Sequence, residues 1–282
     1  SRAHDPARSA DPRRPGRRNS APIVVSARAG APSGPGIALA SERGAMMESL
    51  AASMQTLWQR HEVIANNLAN AGSIGFKADD LEFTRVAAQL ASGGGAAGTA
   101  GAGWIPWTDF SEGPLQVTGR DLDVALRGPG FLVVDTPRGL RYTRAGALSV
   151  GREGFLVTSS GFRVLGERGP ILVPAGPVSI TEQGAVESKG RTLDTFRVVD
   201  FPRPYPLVKD GDGLFAPASP ALEATTAAGA QVMGGALEGS NVNVVRTMVD
   251  MIETLRRYEA AQRAMQAADE AARYAANDMG RV

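Results

Sequence analysis

Cysteine is absent from the 282 residues, which removes disulfide staples, thiolate metal sites and any cysteine nucleophile. Histidine occurs twice, at His4 and His61, and two imidazoles so far apart in sequence do not build a histidine metal centre. No stretch approaches the roughly 18 consecutive apolar residues that a bilayer-spanning helix requires. Neither a G-x-S-x-G elbow nor an H-E-x-x-H helix is present. Carboxylates at Asp121, Asp123 and Asp135 are available to a periplasmic hydrolase, but paired acids are recognised by geometry rather than by sequence. The formal charge is only +1, and eight of the 30 basic residues sit in 1–45 against three acidic ones. The remainder is therefore mildly acidic, which argues against nucleic acid as a partner.

What the chain does contain is ordinary globular material, 43% hydrophobic and 21% charged, with 34 glycines and 18 prolines. That glycine and proline content implies many turns and favours a β-rich middle. Residues 1–45 are rich in Arg, Pro, Ala and Gly without a sustained apolar period, so they are expected to form a disordered leader. An extension ahead of a natural start at Met46 or Met47 is the simplest account of it.

From Met47 the pattern becomes a heptad. Met47, Leu50, Met54, Leu57, His61, Ile64, Leu68 and Ala71 alternate steps of three and four, the spacing of a narrow helix–helix seam. Gly72 and Gly75 are expected to end the helix. Segment 91–103 is low in complexity and reads as a flexible loop; its G-x-G-x-x-G at Gly93, Gly95 and Gly98 lacks the strand and helix that a dinucleotide site needs.

Between about 104 and 235 the chain is a succession of short β-prone runs, among them Leu122-Asp-Val-Ala-Leu126, Phe131-Leu-Val-Val134, Phe162-Arg-Val-Leu165 and Phe196-Arg-Val-Val199. Strands of about five residues with frequent turn signals predict an all-β sandwich, barrel or irregular roll. After Asn241 a second helical period is traced by Val244, Met248, Met251, Leu255, Tyr258, Gln262, Met265, Asp269, Ala272 and Ala276, thickened by Val245, Val249 and Ile252. Ser240 or Asn241 is the expected N-cap. Trp58, Trp104 and Trp107 are expected in the core, and Phe76 is expected to anchor the turn after the first helix. His61 reads as a satisfied polar residue that sets register. Asp210-Gly-Asp212-Gly213 mimics part of a calcium loop but lacks the later ligands and reads as a tight turn. Arg256, Arg257 and Glu259 are candidates for interhelical ion pairs.

These residues carry a resemblance. Ile64-Ala-Asn-Asn-Leu-Ala-Asn70 followed by Gly75-Phe-Lys77 resembles the N-terminal signature of the flagellar basal-body rod and hook family. Leu237-Glu-Gly-Ser-Asn-Val-Asn-Val244 with Met248-Val-Asp-Met-Ile252 and Arg257-Tyr-Glu259 is similar to its C-terminal signature. Gly113-Pro-Leu115, Thr118, Leu122–Leu126, Gly130-Phe131 and Tyr142-Thr-Arg144 with Gly146 resemble its β-region blocks. The similarity runs in order over 46–282. The length after Met46 and the Leu-Glu-Gly-Ser-Asn form look most like the proximal rod members, with the distal rod members next. Ile74, where the family usually has threonine, departs from the pattern.

The expected fold is α+β: N- and C-terminal helices forming a coiled-coil or helical-bundle domain around a central all-β domain. The expected divisions are 1–45 leader, 46–84 first helix and turn, 85–235 β domain and 236–282 second helix. The resemblance implies a structural, non-enzymatic rod subunit without cofactor. It further implies export by the flagellar type III apparatus without a cleaved signal peptide, self-association, and assembly with other rod and hook-basal-body proteins in the periplasm-spanning rod. The expected subunit interface comprises Leu50, Met54, Leu57, His61, Ile64, Asn66, Asn67, Leu68, Asn70 and Phe76 from the first end. From the second it takes Asn241, Val242, Asn243, Val245, Met248, Val249, Ile252, Leu255 and Tyr258. Asparagine is costly within a helix, and the resemblance implies that Asn66, Asn67 and Asn70 make contacts between subunits; capping or fraying the helix end is the alternative. A distal rod or hook-family subunit and, from another class, a soluble coiled-coil adaptor remain open.

Overall fold

The structure, a computed structural model, describes residues 35–84, 103–181 and 183–279. Two helices flank a body of antiparallel strands: α1 (Pro35–Ala69) and α2 (Val244–Met279). At 1.5 Å per residue each is about 50 Å long. The assigned start of α1 lies ahead of Met46, so 35–45 are helical rather than part of an irregular leader, while 1–34 lie outside the described residues. Proline in the first turn suits that start, because its missing N–H would be unpaired there anyway. The expected Gly/Ala loop also lies outside the described residues, apart from Gly103, which opens a strand. The N-cap of α2 is neither Ser240 nor Asn241 but Asn243, whose side-chain oxygen accepts from the Arg246 N–H at 3.1 Å. The two extra residues follow from Asn241 being engaged elsewhere.

The body extends beyond both expected edges. A hairpin pairs Asp79–Thr84 with Gly103–Thr108, and at the other end Ala236–Glu238 pairs with Leu115–Val117. Between them a ten-stranded sheet runs through Leu207–Lys209, Leu214–Pro217, Gly139–Thr143, Phe131–Thr136, Arg163–Gly166, Leu156–Thr158 and Leu148–Val150, with three further short strands at its sides. A three-stranded meander (Val178–Ile180, Ala185–Ser188, Arg191–Thr195) and the pair Val124–Arg127 with Gln231–Gly234 complete the body. The result is an α+β chain with an irregular β centre.

Strand Phe131–Thr136 explains why its sequence is continuously apolar instead of alternating. Its residues point to opposite faces in turn, and both faces are buried. Leu132 and Val134 enter an aliphatic cluster with Val124, Leu148, Leu156 and Val164. Phe131 and Val133 enter an aromatic one with Tyr142, Phe201 and Phe215. Phe131 meets the rings of Phe110, Tyr205 and Phe215 at 5.5–5.7 Å, edge-on.

Along α1 the eight heptad positions from Met47 to Ala71 all have reduced exposure, Ile64 most of all. Along α2 the positions of reduced exposure are Thr247, Asp250, Met251, Thr254, Tyr258, Ala261, Met265, Ala268 and Ala272. Of the expected seam, Met251, Tyr258, Met265 and Ala272 lie on this side, while Val244, Met248 and Leu255 are exposed. Small residues and threonine occupy five of the nine covered positions, and a reading by hydrophobicity passes over them. The helices meet where the Trp58 ring lies 6.2 Å from that of Tyr258.

Candidate functional site

Both chain ends enter the body at one place, and the geometry there follows from residues in the two terminal motifs. The turn after α1 is tight. Gly75 has φ +66°, and a Cβ there would stand 2.5 Å from the Ala145 nitrogen. Its N–H donates to the Glu238 carbonyl at 2.7 Å. Gly113 is pressed against the Gly239 carbonyl, where a Cβ would overlap it, and Gly239 N–H donates to Pro114 O at 2.8 Å. These contacts bring the segment after α1, the segment around 113 and the segment before α2 side by side.

Into that space the chain places charge. Lys77 Nζ lies 2.6 Å from Glu238 Oε1, with both side chains 0% exposed, and also donates to Ser111 O at 2.6 Å. Glu238 Oε1 accepts the Gly113 N–H at 3.0 Å, and Oε2 lies 3.2 Å from Arg144 Nη1. Arg144 donates further to Leu126 O and Gly128 O and stacks 5.4 Å from the Phe131 ring centroid; its Nε is buried without a protein partner. Burial lowers the proton affinity of Lys77 below the ordinary lysine value, against the opposing pull of Glu238. An isolated buried ammonium costs several kcal/mol, on the order of what a well-made pair returns, so the extra backbone bonds decide that this site holds.

Asparagine side chains close the rim. Asn67 Nδ2 donates to Asp79 O at 2.6 Å while its Oδ1 accepts the Asp79 N–H at 2.9 Å, a two-way pairing that imitates a strand neighbour. Asn241 Oδ1 accepts the Ala78 N–H at 2.7 Å, and its Nδ2 donates to Asp109 O and to Ser111. Asn70 donates to Asn66 O and accepts from Ser73. The amides of Asn67 and Asn241 are thus engaged inside the chain, and Asn67 is buried. Neither cap nor free contact describes Asn67. Asn66 and Asn243 stay exposed, Val242 half-buried. Phe76 sits beneath Lys209, whose Nζ is 4.1 Å from the ring centroid and 2.7 Å from Asp79 Oδ2; the turn is anchored to the hairpin ending at Pro217.

The outer side of α2 is built on the opposite rule. Val244, Val245, Met248, Val249, Ile252 and Leu255 are exposed, Val245 at 74% and Ile252 at 52%. They follow the spacing of one helical stripe, displaced from the covered one. On α1, between 46 and 62, the exposed residues include Ser49, Ala51, Ala52, Ser53, Gln55, Gln59 and Glu62, with Met46 and Trp58 as the large apolar ones.

Three further expectations are corrected here. Trp58 and Trp107 are about half exposed rather than core. His61 Nδ1 is buried without a hydrogen-bond partner, so it is not a satisfied polar residue. Arg257 pairs with Glu253 and Glu259 with Arg263, both within α2 rather than between helices, as i,i+4 spacing favours. Asp123 is buried and accepts the Thr118 hydroxyl, apart from exposed Asp121 and Asp135. The Asp210–Gly213 segment is a hairpin turn whose Asp210 is gripped by Arg138 and Arg141 at 2.7 and 2.5 Å. Among the described residues no group of three or more metal-ligating side chains gathers, and no helix is long and apolar enough to cross a membrane.

Known proteins share this arrangement of motifs. Residues 125–188 match the family described as the flagellar hook protein FlgE/F/G D1 domain, and 233–279 match the flagellar basal body rod FlgEFG protein C-terminal family. The flagellar basal-body rod protein FlgF of Salmonella typhimurium is 36% identical over 240 residues, covering 80% of this chain and 94% of that protein. The chain belongs to the flagellar basal-body rod protein family. FlgF of Caulobacter vibrioides is 33% identical over 238 residues, with the same coverage, and the rod protein FlgG of Bacillus subtilis is 32% identical over 247, covering 77% of this chain and 92% of that one. The two rod-protein names therefore stand at similar distance.

Within the family frame, what reading by motif missed were the roles of Lys77, Arg144 and Glu238. All three lay inside the quoted signatures, but a lone charged residue in a turn or at a strand end reads as solvated, and nothing in the sequence alone pairs Lys77 with Glu238.

Proposed function

We propose that the chain is a structural subunit of the flagellar basal-body rod that joins its neighbours through the outer face of α2. The observation that carries this is the row Val244, Val245, Met248, Val249, Ile252 and Leu255, six apolar side chains left to water along about 18 Å of helix. Removing half-exposed side chains of this size from water is worth on the order of 1 kcal/mol each, which sums to a useful association energy without making the monomer insoluble. On this reading the row of α1 from Leu50, Met54 and Leu57 through His61, Ile64 and Leu68 belongs to the inner seam of a coiled-coil pair, a placement supported by the approach of Trp58 to Tyr258, and α2 presents the outward contact. An apolar row on one helix facing a surface of different composition on the next copy makes a heterologous contact, and such contacts repeat into tubes and filaments rather than closing.

Self-association, packing against other rod and hook-basal-body proteins and passage through the flagellar type III export apparatus complete this reading. The Leu-Glu-Gly-Ser-Asn form favours the proximal, FlgF-like position over the distal one. Because the chain has no cysteine, single cysteines placed at Val249 and Ile252 report contacts cleanly. Each, carrying a photoactivatable cross-linker, should link to a neighbouring copy in assembled rods and give no link between chains in dilute monomer. A closed small oligomer with those positions still free would remove the proposal in favour of an adaptor.

A further inference from the structure

The junction holds one device that subunit packing does not call on: an ion-pair triad without access to solvent. Lys77 comes from the turn after α1, Arg144 from the body and Glu238 from the strand ahead of α2. The triad closes only when all three segments are in place. Two cations face one carboxylate, and backbone carbonyls of Ser111, Leu126 and Gly128 accept further hydrogen bonds from them, with Arg144 Nε left without a protein partner. A partly closed triad leaves a charge stranded away from water, so half-formed states are disfavoured and closure is cooperative. Hydrogen bonds of Gly75, Ala78, Asp79 and Gly239 surround it, with partners at Glu238, Asn241, Asn67 and Pro114.

Every partner in this set belongs to the same chain. We infer that the junction is an intrachain latch that closes in the free monomer, fixes the roots of both helices on the β body, and so aims the outer row of α2 before a neighbour arrives. Ordering that accompanies assembly is then confined to the helices beyond the junction. This goes beyond the assembly reading, on which only the aiming of that row rests.

The test is hydrogen–deuterium exchange on the full chain, dilute enough to sediment as a monomer. Amides of Gly75, Ala78, Asp79 and Gly239 should exchange at least about a hundredfold more slowly than those of 264–274. Junction amides that exchange as fast as the helix tips in the monomer, and slow only in polymer, overturn the latch. Lys77→Met should raise junction exchange to the tip rate while the Leu132 and Val134 amides of the body stay slow; a junction that stays slow counts against the triad. Arg144→Lys, a milder change that keeps the charge and loses the carbonyl fork, guards against wholesale unfolding and should raise junction exchange at least about tenfold. An unchanged rate there also overturns the inference. A slow junction in a chain that never polymerises would remove the assembly reading and leave the latch standing.

Discussion

Glu238 and Val245 are seven positions apart in sequence and obey opposite rules. The first is a carboxylate sealed from water between two cations; the second is an aliphatic side chain left mostly in it. Charged groups are hidden at the junction, where their partners lie within the chain, and apolar groups are displayed along the outer face of α2. On the proposed assembly, the difference separates a finished surface, the root of α2, from one that awaits a second molecule.

Four changes sharpen or break that comparison. Glu238→Ala strands Lys77 and Arg144 and should lower monomer stability by about 3–5 kcal/mol, read as an earlier urea midpoint at any protein concentration. A midpoint within error of the parent would dissolve the idea of a finished junction. Gly75→Ala forces a Cβ into the Ala145 backbone at a positive φ and should cost about 1–3 kcal/mol, again independent of concentration. Ile252→Asp should behave the other way round. Monomer stability changes by no more than about 0.5 kcal/mol, while the concentration needed for polymerisation rises roughly tenfold or more, followed by sedimentation. If the monomer were destabilised as much as the polymer, the outer face would already be covered within the chain.

The smallest effect belongs to the hairpin turn. The hydrogen bond from Arg141, reinforced by the charge of Arg138, holds the Asp210 carboxyl below its ordinary value of 3.8. A depressed folded value means that the contribution is fully present above 3.8 and is lost as pH falls through the lower folded value. The difference in thermal midpoint between the parent and Asp210→Asn should therefore shrink below about pH 4. A difference that stayed constant down to pH 2 would show that the pair adds nothing electrostatic.

Sequence made some of this legible and hid the rest for identifiable reasons. The heptad of α1 stood out because Leu50, Met54, Leu57, Ile64 and Leu68 are large and evenly spaced, and the short apolar runs marked the strands. Two apolar stripes run along the first half of α2, and hydrophobicity alone singles out the exposed one, Val244 with Met248, and passes over the covered one, Thr247 with Thr254. Threonine at 254 is nearly inaccessible because its hydroxyl folds back onto Asp250 O at 2.7 Å, a local bond that composition does not announce. Asn67 looked like a contact residue because its partner, the backbone of Asp79, has no side-chain signature. The Lys77–Glu238 pair joins residues 161 positions apart, and one sequence offers no means of matching two such distant charges.

The close approach of Gly113 to Gly239, together with the bond from Gly75 to Glu238, means that the polypeptide enters and leaves the β body through a single doorway. Everything threaded between residues 79 and 237 is then a loop hung from one fixed hinge-post, however long or elaborate. The strands beyond those that supply Ser111, Gly113, Leu126, Gly128 and Arg144 to the junction can be enlarged, trimmed or exchanged while the two shafts keep their roots, which makes that outer part of the body the region most open to variation.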